Sequence, residues 1–279
     1  FFPPTFEGSV EKTFGEQGLL LWALSKAASK GYETQWLADR IYEKLAKNVG
    51  EHGIFAKPCS QTFIPMDAAL CLNGFIEYYS LREKGLEEAT KIAYSLKDNS
   101  KGMVYFTKDG DAARSRVSFN NIVYPLHALS RFFKATEDPK IHAKIQKTLA
   151  ELLASQGQDG QWWWTFDTEG RVVQKYPVYS VHQTAMAPMA LKEAADCVPS
   201  MQAEAGAAIE KGLKWVWGAN ELKQSMFDEK HLVFWRSVRP PNWLRKLRQF
   251  TMLAPETMLM IDKETRSYHY GWSLYSQSL

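Results

Sequence analysis

Cysteine is scarce in this chain: three residues in 279, at Cys59, Cys71 and Cys197, with no CxxC and no Cys/His ligand spacing. An odd number of widely separated thiols makes neither a disulfide framework nor a zinc site, so all three read as buried thiols. HExxH and His-x-His are missing as well, and so are GxGxxG and a Walker loop. No metal and no cofactor are therefore expected. Charge of one sign is also lacking, because 34 basic against 31 acidic residues leave a net charge of only +3. A field that weak does not gather nucleic acid. No apolar run reaches the roughly 20 residues of a membrane span, since "GLLLWAL" ends at Ser25 and Lys26. The opening "FFPPTFEGS" has no basic n-region, so no signal peptide is visible and the compartment is left open. No shift of composition marks a linker, and residues 1–279 read as one domain.

What is present is a repeat. Five segments share a loop with Gly, Pro or aromatics, a polar cluster, and then a long apolar helix: 13–31, 60–81, 118–136, 179–196 and 264–279. Their polar anchors are Gln17, Asp67, Asn121, His182 and His269, spaced as helical-hairpin arrays are. Between them run four more polar helical stretches, 34–49, 85–99, 138–156 and 200–218, with apolar residues at three-and-four spacing, as in Trp36/Leu37/Ile41/Leu45 and Ile141/Ile145/Leu149/Leu152. Thr34, Asp138 before Pro139, and Ser200 mark helix starts. Amphipathic outer helices alternating with apolar inner ones predict an all-α chain folded as an α/α toroid, a complete or incomplete ring of about five inner helices. Short strands are expected in "GMVYFTKDG", "GQWWWTFDTEGRVV" and "KHLVFWRSV".

The stretch "IQKTLAELLASQGQDGQWWW" resembles the QW-type repeat of the terpene-cyclase and protein-prenyltransferase toroids, with Gln156, Asp159-Gly160 and Trp162 in the matching places; "LAKNVGEHGIFAKP" is a weaker copy around Gly53 and Phe55. That resemblance implies a toroid whose helix ends are pinned together, and it says little about chemistry. The same ring of hairpins is used by many sugar-active proteins. Trp162, Trp163 and Trp164 alternate sides in an extended segment, so at most two share a face. They either cap the core or offer a ring on which a sugar or hydrocarbon stacks.

Residues at inner-helix starts point into the funnel, and these are the candidates for chemistry. They include Glu16, Asp67, Asn120, Asn121, Tyr124, Tyr179, His182, Gln183, Tyr268 and His269. His182 and His269 are two imidazoles suited to general base and acid work near neutral pH, unless each is a hydrogen-bonded structural histidine. "YHYGW" at 268–272, ending in Trp272, is similar to the start of the last inner helix in the N-acylglucosamine 2-epimerase family. The similarity implies a base role for His269 beside a sugar carbonyl. "SFNNIVY" is similar to the Asn-rich helix start of toroidal polysaccharide lyases, which implies that Asn121 and Tyr124 hold a uronate and exchange its proton, with His182 as base; alternatively Asn120 and Asn121 are caps. Asp67 stands where class II terpene cyclases carry a proton donor, but a single acid flanked by Ile64, Pro65 and Met66 argues against carbocation chemistry. With Glu16 it forms the one carboxylate pair placeable at adjacent inner-helix starts, as a glycosidase needs.

A basic stretch, "WRSVRPPNWLRKLRQFTML", carries Arg236, Arg239, Arg245, Lys246 and Arg248 among Trp243, Leu244, Leu247 and Phe250. It is a solvated face, a lid on an anionic substrate, or a peripheral membrane contact through 236–252. These observations predict a carbohydrate-active enzyme working on an acidic or polymeric sugar by proton transfer, of epimerase or lyase type, with hydrolysis next. Tyr268 or Tyr179 would be the acid, Asn121 and Arg236 the anion binders, and Trp162–Trp164 the stacking platform. Polyprenyl processing and a non-catalytic glycan-binding toroid are the alternatives.

Overall fold

The structure is a computed structural model and describes residues 13–54, 63–99, 116–241 and 258–277. Its helices follow the predicted alternation closely. The inner helices are α1 (Phe14–Ser29), α3 (Pro65–Arg82), α5 (Asn120–Thr136), α7 (Ala187–Cys197) and α9 (Tyr268–Gln277); the outer ones are α2 (Gln35–Ala46), α4 (Leu86–Ser95), α6 (Pro139–Ala154) and α8 (Gln202–Val216). A π-helical turn, His182–Met186, leads into α7. The inner helices pack in series, α1 on α3, α3 on α5 and α5 on α7, and the π-helical turn meets α9. The result is an arc: among the described residues no comparable packing joins α9 back to α1.

Local chemistry explains where the helices begin. Thr13 accepts from the Glu16 amide and caps α1, while Asp138 accepts from the Lys140 and Ile141 amides and Pro139 takes the first position of α6. The other two predicted starts differ. The Thr34 hydroxyl donates back to the Leu24 carbonyl rather than capping α2, and Ser200 lies in a 3-10 turn before α8. Helix α3 has no cap of its own, and the Asn121 side chain supplies one across the helix pair by accepting from the Met66 amide at 3.1 Å.

Glycine sets the spacing of the first two inner helices. A Cβ on Gly18 would lie 2.5 Å from the Cys71 backbone, and one on Gly74 would lie 2.5 Å from the Gly18 carbonyl, so α1 and α3 touch backbone to backbone. One hydrophobic cluster runs from Phe14 to Val238 and takes in Trp162, Trp215, Phe75, Phe119, Phe132 and Phe166. Cys71 and Cys197 are free and buried, as their scarcity suggested; Cys59 lies outside the described residues. Trp36 departs from its predicted face. It is 60% exposed, because α2 meets the core through the buried Ala38 and Leu45, with Ile41, Tyr42 and Ala46 packed partly against it.

A buried ion pair ties α3 to α5. Arg131 donates to Glu77 and, at 3.1 Å, to the Asn73 side-chain oxygen, while Lys26 of α1 approaches Glu77 at 3.4 Å. Glu77→Ala is expected to destabilise the protein by about 3–5 kcal/mol, since it strands a largely buried guanidinium. Glu77→Leu with Arg131→Met should recover most of that loss. Urea unfolding of the three chains checks both.

Three small antiparallel sheets decorate the connections. β1 (Arg116–Ser118), β2 (Thr165–Asp167) and β3 (Val172–Gln174) form one; β5 (Phe227–Asp228) pairs with β6 (Val233–Phe234). The third orders β4 (Val178–Tyr179), β7 (Ser237–Arg239) and β8 (Met260–Asp262), with Tyr179 opposite Ser237 and Ser237 opposite Asp262. The strands expected in 160–173 and 230–238 are thus present, whereas "GMVYFTKDG" lies outside the described residues.

Candidate active site

Short turns join each inner helix to the outer helix that follows, and longer connections lead back. Gly15 meets Asp67 and Gly18 meets Cys71, while Met66 meets Asn121 and Glu77 meets Arg131, so α1, α3 and α5 run in one direction and their N-termini share one end of the arc. Cross-contacts at that end agree. Asp67 lies against Gly15, where a Cβ would come within 2.5 Å of its carboxyl, and Asn121 holds the start of α3.

The QW-like turn works as a fastener. Gln156 donates to the Gly160 carbonyl at 3.0 Å and to the Ala208 carbonyl of α8 at 2.8 Å. Gln183 is fully buried and, in the amide orientation that satisfies both of its ends, donates to the Gly160 carbonyl and accepts from the Trp162 amide. That engagement replaces the substrate contact expected of Gln183. Trp162 is likewise corrected: its side chain has no exposed surface and packs beside Phe119 in the core, so no substrate can stack on it. Trp163 is buried edge-on to Tyr176, and Trp164 alone of the three is half-exposed. Alternation along the extended segment separates them.

Trp164 lies flat on the His182 ring, at 5.0 Å and 8° between planes, while Phe119 and Tyr179 close in at 4.8 and 5.1 Å. This aromatic cage strips water from the imidazole, and burial pushes its pKa down to about 3. His182 Nδ1 sits 3.3 Å from the Trp162 carbonyl, and its Nε2 has no partner among the described residues. A proton on Nδ1 facing that carbonyl leaves Nε2 as a bare acceptor. The π-helical turn sets this pose. Pro188 has no N–H to continue an ordinary helix, and the widened turn bonds the Ala187 amide to the His182 carbonyl instead.

Across Tyr179 the third sheet brings in charge. The Arg236 guanidinium lies 5.5 Å over the Tyr179 ring and donates to Glu264, which also pairs with Arg266. Arg239 pairs with Asp262 at 2.9 Å. Between them is a cavity of about 360 Å³ walled by Tyr176, Tyr179, Arg236, Arg239, Asp262 and Glu264. Tyr176 is fixed through its hydroxyl to Glu221 at 2.8 Å, and Glu221 also accepts from Gln161 and from the Trp215 indole.

The start of α9 completes the group. His269 is buried edge-on to Tyr268, its ring turned toward the Phe234 carbonyl without a well-formed hydrogen bond. Burial lowers its pKa, the carbonyl partly opposes this, and Arg236 and Arg266 add to the lowering. Burial, with Tyr268 nearby, pushes Tyr124 up to about 12. Burial also raises Tyr179, with Arg236 opposing and Asp262, Tyr268 and Glu264 adding. Both phenols therefore keep their protons at neutral pH. One neighbourhood thus gathers His182, His269, Tyr124, Tyr179, Tyr268, Arg236 and Glu264. Trp272 is half-buried on α9 and packs against the core cluster.

Glu16 and Asp67 form a separate carboxyl pair at the starts of α1 and α3. Burial, with Glu16 adding repulsion, raises Asp67 to about 6, and its carboxyl has no hydrogen bond or ion pair among the described residues. A raised carboxyl pKa favours the folded state fully below 3.8 and loses that advantage as pH climbs through 6. Asp67→Asn should therefore stabilise the protein at pH 8 by about 1–2 kcal/mol after solvent screening, and by nothing at pH 3.5, as urea unfolding at the two pH values will show. Asn120 and Asn121 are occupied: Asn121 bridges Ser118 and the Met66 amide, and Asn120 bridges Ser118 and the Met66 sulfur. Asn121 caps α3 and Asn120 joins α3 to α5, but neither caps α5, whose N-cap is Phe119, so the expected capping of their own helix is corrected. Asp262, Glu264, Tyr176 and Glu221 were missed; the acids of "IDKETRSYHYGW" just before the last inner helix were the available signal. Trp243, Leu244, Arg245, Lys246, Leu247, Arg248 and Phe250 lie outside the described residues.

Among the described residues no group of three His, Cys, Asp or Glu side chains is placed to hold a metal ion, and no helix is long and apolar enough to cross a membrane. No protein-family model and no curated protein sequence matches the chain. Solved structures do. The architecture is the α/α toroid. The particular neighbours are carbohydrate-active. They include a cellobiose 2-epimerase from Bacillus thermoamylovorans, with TM-score 0.61 and 13% identity over 75% of this chain and 62% of that one. A D-mannose isomerase superposes with TM-score 0.69 and 11% identity over 95% and 69%, and a GH76 α-mannanase of Bacteroides thetaiotaomicron with 0.60 and 10% over 80% and 63%. The chain thus spans less than two thirds of the epimerase.

Proposed function

We propose that the protein is a carbohydrate-active enzyme that moves a proton at the carbon beside a sugar carbonyl, as an epimerase or isomerase does. The observation that carries this reading is the convergence of two imidazoles and three phenols near a cavity walled by Tyr176, Tyr179 and two arginine–carboxylate pairs. A neutral aldose or ketose fits better than an acidic sugar. The expectation of an acidic sugar rested on Asn121 and Arg236 as anion binders, and Asn121 is engaged with Met66 and Ser118 while Arg236 and Arg239 are each matched by a carboxylate. The same pairing weakens the lyase reading, which needs an unmatched cation or amide on the uronate. Paired guanidinium and carboxylate groups along one wall donate to and accept from hydroxyls with no net charge.

His269 is assigned as the base, because it opens the last inner helix between the exposed Tyr268 and Tyr270, whereas His182 is enclosed by Phe119, Trp164 and Tyr179. His182 is buried outside the cavity wall and positions Tyr179, against whose ring it packs. Tyr268 and Tyr179 donate to the carbonyl oxygen and stabilise the enediolate as charge develops on it. The named neighbours that are epimerases and isomerases support the reading.

Hydrolysis is the second reading, favoured by the elevated Asp67 beside Glu16. One of the neighbours is an α-1,6-mannanase of Salegentibacter described as inactive when two consecutive aspartates are changed, and no two aspartates are adjacent in this sequence. Incubation with neutral aldoses, ketoses and reducing disaccharides in D2O separates the readings. Proton transfer places deuterium on the carbon beside the carbonyl and yields an epimer or ketose, seen by NMR. New reducing ends without deuterium would mean hydrolysis, and unchanged sugars throughout would overturn the enzyme reading.

A further inference from the structure

At the opposite end of α1, about 24 Å from the helix starts at 1.5 Å per residue, the α1–α2 connection forms an open groove of about 620 Å³. Two large aromatic side chains line it in the open: Tyr32 is 69% exposed and Trp36 60% exposed. Ala28 is the only aliphatic side chain in its wall, and the remainder is Glu33, Gln35 and Asp39. We infer that this groove is a second carbohydrate site, one that holds a neutral polysaccharide on the protein surface away from the reacting centre.

The argument is one of chemical fit. A pyranose ring has an apolar C–H face and a belt of hydroxyls, so it suits an exposed indole or phenol bordered by side-chain oxygens and amides. A docked protein helix would ask for exposed Leu, Ile or Met, and the groove has none. A cationic partner would ask for several free carboxylates, and of the two in the wall Asp39 is already matched, which leaves Glu33 alone. Arg82 donates to both oxygens of Asp39, at 3.2 and 2.7 Å, and the Tyr78 hydroxyl donates at 2.8 Å. Gln35, with its amide oriented to satisfy its neighbours, accepts from the same guanidinium. These bonds hold the polar border of the groove in place before any ligand arrives. Tyr78 is itself stacked on Tyr42 at 4.3 Å, which anchors the network to α2. Trp36 is on the first turn of α2 and makes no ring contact among the described residues, so its exposure costs apolar surface.

The inference is independent of the proposed reaction and is tested by binding alone. Native gels containing soluble mannan, xylan or mixed-linkage β-glucan should retard the protein in at least one case, relative to a plain gel. Oligosaccharides of that polymer should reverse the retardation, and 0.5 M salt, on the order of the strength that screens surface charge, should not. Trp36→Ala should abolish the retardation and Tyr32→Ala should weaken it about 5-fold or more, with the melting temperature of each variant unchanged because both rings are exposed. Unretarded wild type in every gel, or a Trp36→Ala chain retarded like wild type, would overturn the second site. So would retardation that salt removes and sugar does not, which would mark a charge contact. None of these outcomes touches the deuterium experiment.

Discussion

His269→Asn is expected to lower sugar turnover by about 10²–10⁴-fold, the usual worth of a positioned general base. Asparagine keeps the size and one donor of the imidazole but accepts no proton at neutral pH. Because the fault lies in proton abstraction, kcat should fall with little change in KM, and deuterium should no longer enter the sugar. His182→Asn should behave differently. Loss of a group that acts only through the phenol it positions should lower kcat by less, about 10-fold, and the pH profile of kcat should keep the limb that belongs to His269. Both variants should retain wild-type circular dichroism. Equal turnover in wild type and His269→Asn would remove His269 from the mechanism.

The second large effect is acid lability. His127 and His182 are both buried and both pushed down to about 3, His127 by burial first and then by Arg131 and Lys134. Below the unfolded value of 6.5 the unfolded chain takes up protons that the folded chain refuses, so stability drops as pH falls from 6.5 toward 3. Each histidine contributes a slope of about 1.4 kcal/mol per pH unit. Asp67 works the other way between 6 and 3.8, which offsets roughly one histidine in that window. The urea midpoint should therefore fall steadily from pH 6.5 to 4, and His127→Leu should flatten that fall. A flat wild-type profile would mean that both imidazoles protonate in place.

The alternation of helices was legible because it is local: charge, Ala and Leu content, and three-and-four spacing lie within each segment. The start of α6 was legible for the same reason, Asp138 and Pro139 acting on amides two and three residues away. Thr34 and Trp36 were misread because their partners are elsewhere. The hydroxyl of one finds a carbonyl ten residues back, and the other sits on a helix whose buried residues are Ala38 and Leu45. Within the candidate site, the histidines and tyrosines at helix starts could be named from position alone. Their environments could not, since the cage around His182 is drawn from residues 119, 164 and 179. Asp262 and Glu264 escaped notice because they meet Arg239 and Arg236 only through strands of two and three residues, too short to leave a period of alternation.

The widened turn at 182–186 has a bearing on how such a chain tolerates change. One surplus residue there advances the angular phase of everything before it by about 100° relative to α7. Loss of a single residue from this stretch would leave the buried stripe of α7 intact and swing the imidazole out of its cage. The scaffold and the reactive group are thus geared separately, and length variation at this one point can retune the centre without disturbing the rods that carry it.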